Sequence, residues 1–132
     1  MTASRESPFA DSLGVEILET GPDRCVTALS LTDAHTNSLG LVHGGVIFTL
    51  ADRAMGLACG RDAEPFVTMD MSVRYIRPAR AGQRLTAIAE PVHKGKRTTF
   101  VRIDVRDESG RLVACLSGTA HVLSPSRDGT GT

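Results

Sequence analysis

The sequence predicts an α+β domain in which an antiparallel sheet packs against one long apolar helix. Three observations carry this. Val46 to Cys59 is an apolar run interrupted only by Thr49, Asp52, Arg53 and Gly56, with no proline, and its length favours a helix over a strand. Phe66 to Ile76 and Thr99 to Arg106 alternate with the two-residue period of half-buried strands. Short turn signals separate the other apolar segments, placing two strand candidates before the helix and four after it.

In order along the chain, Pro8 to Leu13 predicts a short helix ended by Gly14. Val15 to Thr20 and Cys25 to Leu31 read as a hairpin around Gly21-Pro22-Asp23. A polar loop from Thr32 to His43 leads into the long helix, which Arg61 to Pro65 ends. In the next strand, Val67, Met69, Met71, Val73 and Tyr75 are expected on one face, with Thr68, Asp70, Ser72 and Arg74 on the other. Leu85 to Val92 is a strand in which Pro91 marks an edge or a bulge. His93 to Arg97 is a basic turn. Thr99 to Arg106 places Val101, Ile103 and Val105 inward, Asp107 to Gly110 is a turn, and Leu112 to Leu123 is the last strand. The expected organisation is an N-terminal segment 1–13, one domain 14–123 and a small, polar, disordered tail 124–132. A sheet of this size wraps one helix and keeps a second face to bury, which points to oligomerisation.

The 132 residues suffice for a real core in one domain. Lys plus Arg, 15, equals Asp plus Glu, 15, which argues against nucleic acid as a partner. Cys25, Cys59 and Cys115 are an odd number without a C-x-x-C pair, so reduced thiols in the cytoplasm are the simplest reading. No signal core or apolar span is present to suggest export or a membrane helix. The four histidines lack zinc spacing, and H-E-x-x-H, G-x-S-x-G and P-loop motifs are absent, so neither metal nor cofactor is expected.

The chemistry gathers on the long helix. Gly44 and Gly45 stand where it begins, and the first amides of a helix have no partner within it. They point outward, aided by the helix dipole, as an oxyanion-type binder. A helix apolar on nearly every side is expected to be buried nearly all round. Asp52 in its middle is therefore costly unless paired, hydrated in a pocket, or used. Gly56 lowers helix stability relative to alanine and leaves room for a bound group or a partner helix.

Asn37-x-x-Gly40-x-x-His43-Gly44-Gly45, followed by Leu50-Ala51-Asp52, resembles the hotdog-fold acyl-coenzyme A thioesterases of the PaaI type. Tyr75-Ile76-Arg77-Pro78 and Lys94-Gly95-Lys96 match as well, and the resemblance spans about Phe9 to Leu123. It implies a curved sheet wrapped around the helix, and dimers or dimers of dimers with sites between subunits. It implies metal-free hydrolysis of a coenzyme A ester, with phenylacetyl or hydroxyphenylacetyl favoured and a medium-chain acyl group left open. By position, Asp52 is the catalytic carboxylate and the Gly44 amide polarises the carbonyl. Asn37 holds water or thioester, His43 positions the loop, and Thr68 orients water.

Helix geometry adds an independent constraint. The attacking group must come within about 3.5 Å of the carbonyl carbon. Asp52 lies eight residues after Gly44, or about 12 Å along the axis at about 1.5 Å per residue. An aspartate side chain cannot close that gap. Two antiparallel copies of the helix could set each Asp52 beside the other chain's Gly44. Burial raises the pKa of Asp52 towards that of a useful base, and base and nucleophile roles both stay open.

Plainer readings stand beside these. Taken alone, Asp52 reads as a paired structural carboxylate; the surrounding motif reverses that. His43 reads as a structural histidine that fixes its loop. Asn37 could simply make a turn bond, and Thr68 could be an ordinary exposed strand threonine. Lys94, Lys96 and Arg97 could meet coenzyme A phosphates or form a solvated hairpin tip, while Arg74, Arg77 and Arg80 are other candidates. Cys59 on a buried helix reads as inert packing. Two rival functions are a hydroxyacyl thioester dehydratase, whose catalytic histidine setting this chain does not show, and a non-catalytic acyl-thioester binder.

Overall fold

The computed structural model describes residues 6–60 and 65–123. The expected tail 124–132 and most of the segment expected to end the long helix lie outside the described residues. In chain order come α1 (Pro8–Leu13), β1 (Glu16–Glu19), β2 (Cys25–Ser30), a 3-10 turn (Asp33–His35), α2 (Gly44–Cys59), β3 (Phe66–Tyr75), β4 (Arg84–Lys94), β5 (Thr98–Arg106) and β6 (Leu112–Val122).

The strands form one six-stranded sheet in the order β1-β2-β4-β5-β6-β3, with every pairing antiparallel. The helix α2 lies across β2, β4 and β5. Its Leu50, Ala51, Ala54 and Met55 are fully buried against Leu85, Ala87 and Ala89 of β4 and the inward Val101, Ile103 and Val105 of β5. Gly118 of β6 makes this contact possible, because a Cβ there would sit 2.5 Å from the Met55 sulfur. A buried hydroxyl ties the middle of the helix to the sheet: Thr27 Oγ1 donates to the Leu50 carbonyl at 2.9 Å.

Two expectations need correction. The helix is not buried all round within one chain. Val46, Ile47, Leu50, Ala51, Ala54, Met55, Ala58 and Cys59 are buried, whereas Phe48, Thr49, Asp52, Arg53, Gly56 and Leu57 are only partly covered. The sheet covers one side of α2 and leaves the other half open.

The second correction is in β3. Thr68 pairs with Ala120 and Asp70 with Thr119, so Met69 is an extra residue in a β-bulge. Beyond the bulge the alternation flips. Phe66, Thr68, Met71, Val73 and Tyr75 stand opposite the helix-facing Val122, Ala120, Gly118, Leu116 and Ala114 of β6. Val67 and Met69 do not share the face of Met71 and Val73; they are 42% and 62% exposed. The bulge turns Thr68 towards α2. Pro91 also marks a bulge, between Pro91 and His93, but β4 is an interior strand rather than an edge.

Candidate active site

The loop before α2 is held from several sides. Buried His35 accepts the Thr32 N–H at Nδ1 (2.9 Å), and its Nε2 donates to the Leu13 carbonyl at the end of α1 (2.9 Å). The His35 carbonyl accepts the His43 N–H at 2.8 Å. Thr36 and Val42 form a bridge, which leaves Asn37 at the turn between them. Asn37 Oδ1 accepts the Leu39 and Leu41 N–H groups at 2.9 and 3.1 Å. Its oxygen thus shapes the loop, and only its amide nitrogen is left to donate elsewhere.

His43 caps α2. Its Nδ1 accepts the Gly45 N–H at 3.0 Å, which puts the ring proton on Nε2. Its carbonyl accepts the Val46 N–H at 2.9 Å. These bonds correct the expectation of two ready glycine donors. The Gly45 amide is occupied, and the Gly44 N–H is the one with no partner among the described residues.

Tyr75, which residue-by-residue reading gave no role, sits over this point. Its hydroxyl donates to the Gly44 carbonyl at 2.8 Å. A Cβ on Gly44 would fall 2.9 Å from that hydroxyl, so glycine is needed for the ring to close on the helix start. Burial raises the Tyr75 pKa, which keeps the hydroxyl a donor. The available signals were its place in the matching Tyr75-Ile76-Arg77-Pro78 segment and its being the sole tyrosine of the chain.

Asp52 lies further along α2, beside a pocket of about 160 Å³. The walls are Ser7, which caps α1, Phe9 and Ala10 from α1, Thr49, Asp52, Arg53 and Gly56 from α2, and Phe66 and Thr68 from β3. The Asp52 carboxylate has no hydrogen bond or ion pair among the described residues, and desolvation raises its pKa. Thr68 therefore shares a pocket with Asp52, because of the bulge. A Cβ on Gly56 would meet only Phe66 Cζ at 3.5 Å, an ordinary contact, so the chain's own packing does not require glycine there. Arg53 was noticeable beforehand only as a second charge in an apolar run.

The basic turn is elsewhere in the chain but at a related end of the sheet. Thr98 pairs with His121 and Phe66 with Val122, so the turn and the pocket end of β3 flank the same end of β6. Lys94, Lys96 and Arg97 are exposed there and line no part of the Asp52 pocket. Among the described residues, no group of three or more His, Cys, Asp or Glu side chains is placed to hold a metal.

A six-stranded antiparallel sheet packed on one long helix, with a glycine turn at its start and a carboxylate midway, defines a hotdog-fold protein. The family model described as the thioesterase superfamily matches residues 39–114. Acyl-coenzyme A thioesterase PaaI of Escherichia coli is 31% identical over 112 residues, covering 85% of this chain and 80% of that protein. Its solved structure superposes with a TM-score of 0.86 at 30% identity, covering 89% of this chain and 86% of that one. Human acyl-coenzyme A thioesterase 13 is 30% identical over 126 residues, covering 92% of this chain and 89% of that protein. A Streptococcus mutans protein solved bound to acetyl CoA has a TM-score of 0.78 at 27% identity, covering 82% of this chain and 87% of that one. The chain belongs to the thioesterase superfamily, as a PaaI-type hotdog thioesterase, and is a thioester hydrolase.

Proposed function

We propose that the protein hydrolyses an acyl-coenzyme A thioester to the free acid and coenzyme A, at sites each built from two copies of the chain. The observation that carries this is the unpaired state of two groups on one helix. Among the described residues the Gly44 N–H and the Asp52 carboxylate both lack partners, yet they stand about 12 Å apart along α2. Neither can serve the other within a chain.

In this reading the Gly44 amide of one protomer donates to the thioester oxygen as negative charge develops there. Such a donor commonly contributes about 3 to 4 kcal/mol to catalysis. Asp52 of the second protomer either takes a proton from the attacking water or attacks the carbonyl itself. The second route gives a mixed anhydride that water then cleaves. The thiolate leaves readily, so no strong general acid is required. The Thr68 hydroxyl and the Asn37 amide nitrogen orient the water and the ester. His43 keeps the helix start in place, and Gly45 lends its flexibility and its bond to that cap rather than a contact to substrate. Lys94, Lys96 and Arg97 meet the coenzyme A phosphates through charge-assisted hydrogen bonds.

The half-open side of α2 and the unpaired edge of β3, with exposed Val67 and Met69, support a homodimer or a dimer of dimers. No helix among the described residues is long and apolar enough to cross a membrane, and the three cysteines are free, which supports a cytoplasmic setting. The acyl panel should begin with phenylacetyl and hydroxyphenylacetyl esters, since the related Escherichia coli PaaI comes from a phenylacetic acid degradation operon.

The test is thiol release across aromatic and aliphatic coenzyme A esters, with Asp52→Asn as control. Turnover should fall by orders of magnitude in that variant. Binding of esters without thiol release would indicate a non-catalytic binder, and water loss from a hydroxyacyl ester would indicate a dehydratase. Either outcome rejects the proposal.

A further inference from the structure

The pocket beside Asp52 contains a charge that the hydrolytic scheme does not use. Arg53 Nη2 is buried and has no hydrogen-bond partner. No hydrogen bond or ion pair of any kind is made by this side chain among the described residues. Its neighbour Asp52 is not a partner, because consecutive residues of a helix do not face each other. A buried guanidinium N–H without an acceptor is costly in the free protein, and an acceptor arriving with a ligand recovers that cost.

We propose that Arg53 is a specificity-determining residue that selects acyl groups ending in a carboxylate. The inference rests on the thioesterase reading and deepens it. Arg53 lines the same pocket as Asp52, Thr68 and Gly56, so a group held there is joined to the reacting carbonyl. The pocket, about 160 Å³, matches in size a cavity of about 150 Å³ that holds benzene, so it takes roughly six heavy atoms. The glutaryl chain beyond its thioester carbonyl is of that length: three methylenes and a carboxylate. Phe9 and Phe66 flank the methylenes, and a carboxylate supplies both the missing acceptor and the missing counter-charge to Arg53.

The experiment compares glutaryl-CoA with 5-methylhexanoyl-CoA, in which an isopropyl group replaces the carboxylate at nearly the same shape. The wild-type protein should favour glutaryl-CoA in kcat/KM by roughly tenfold to a hundredfold, the worth of a hydrogen bond to a charged group. Arg53→Leu should abolish that preference, and Arg53→Lys should retain part of it; Arg53→Gln replaces the leucine variant if the latter does not fold. The inference is overturned if the wild type does not discriminate between the esters, or if the preference survives in Arg53→Leu or Arg53→Gln. It is also overturned if removing Arg53 changes the oligomeric mass, which would make the guanidinium an interface group. Hydrolysis of other esters but of neither of this pair rejects the carboxylate and leaves the thioesterase reading standing. Failure to release thiol from any ester removes both.

Discussion

The Tyr75 hydroxyl donates to the Gly44 carbonyl at 2.8 Å, joining the end of β3 to the first turn of α2. The bond spans 31 residues and acts on the peptide unit next to the free amide of the helix. Its net worth to stability is about 1 kcal/mol. Its greater effect is on position, because misplacing a reacting group by about 1 Å can cost about a hundredfold in rate.

Gly44→Ala should therefore damage catalysis more than folding. The new Cβ would lie 2.9 Å from the Tyr75 hydroxyl and 3.0 Å from Cζ, so the ring or the helix start must shift. We expect kcat to fall about a hundredfold. Tyr75→Phe should lower it several-fold with little change in KM. The double variant should lose less than the product of the two, since phenylalanine brings no hydroxyl into the clash. Steady-state kinetics with thermal melting checks this, and a Gly44→Ala enzyme at wild-type rate would show that the close approach is irrelevant.

Asp52 supplies a prediction in pH. Desolvation raises its pKa above the ordinary carboxylate value, and no partner among the described residues offsets this. Activity that needs the ionised carboxylate should rise with pH through that raised pKa, so the acid limb of kcat/KM lies above the usual carboxylate range. The stability effect has the opposite sense. A carboxyl group whose pKa is higher folded than unfolded contributes stability that is full below the unfolded pKa and lost as pH rises through the folded one. Asp52→Asn should thus gain stability over wild type at neutral pH, and the gain should vanish in acid. Denaturant melts from acid to neutral pH decide it; a variant less stable than wild type at neutral pH contradicts the assignment.

The elements were legible because their signals are local. The run after His43 has helical length, and β5 alternates without interruption, so α2 and β5 follow from composition and period alone. The face of Thr68 was not legible. One bulged residue, Met69, reverses the alternation, and pairing with β6 rather than any nearby residue decides where it falls. Only the family resemblance pointed to Thr68, and the register supplies the physical reason. Gly44 and Gly45 look equivalent in sequence, but the side chain of His43 takes one amide and leaves the other. Tyr75 and Arg53 were missed for a similar reason. Their significance is a contact made or not made across the fold, and spacing along the chain does not encode it.

The proposed division of the site between copies gives the most decisive test. If Gly44 of one protomer works with Asp52 of the other, two inactive variants should repair each other. A pair made of one Asp52→Asn chain and one Gly44→Ala chain has one site with intact Gly44 and intact Asp52, and one site with neither. Random re-pairing of equal amounts into two-fold dimers makes half of them mixed, so roughly a quarter of wild-type activity should return. The chains are mixed, dissociated in mild denaturant, refolded together and assayed by thiol release. A site contained within one chain predicts no recovery, since every chain then carries one defect. Recovery that appears only after exchange ties activity to the pairing itself, and it is the outcome expected from the helix spacing of Gly44 and Asp52.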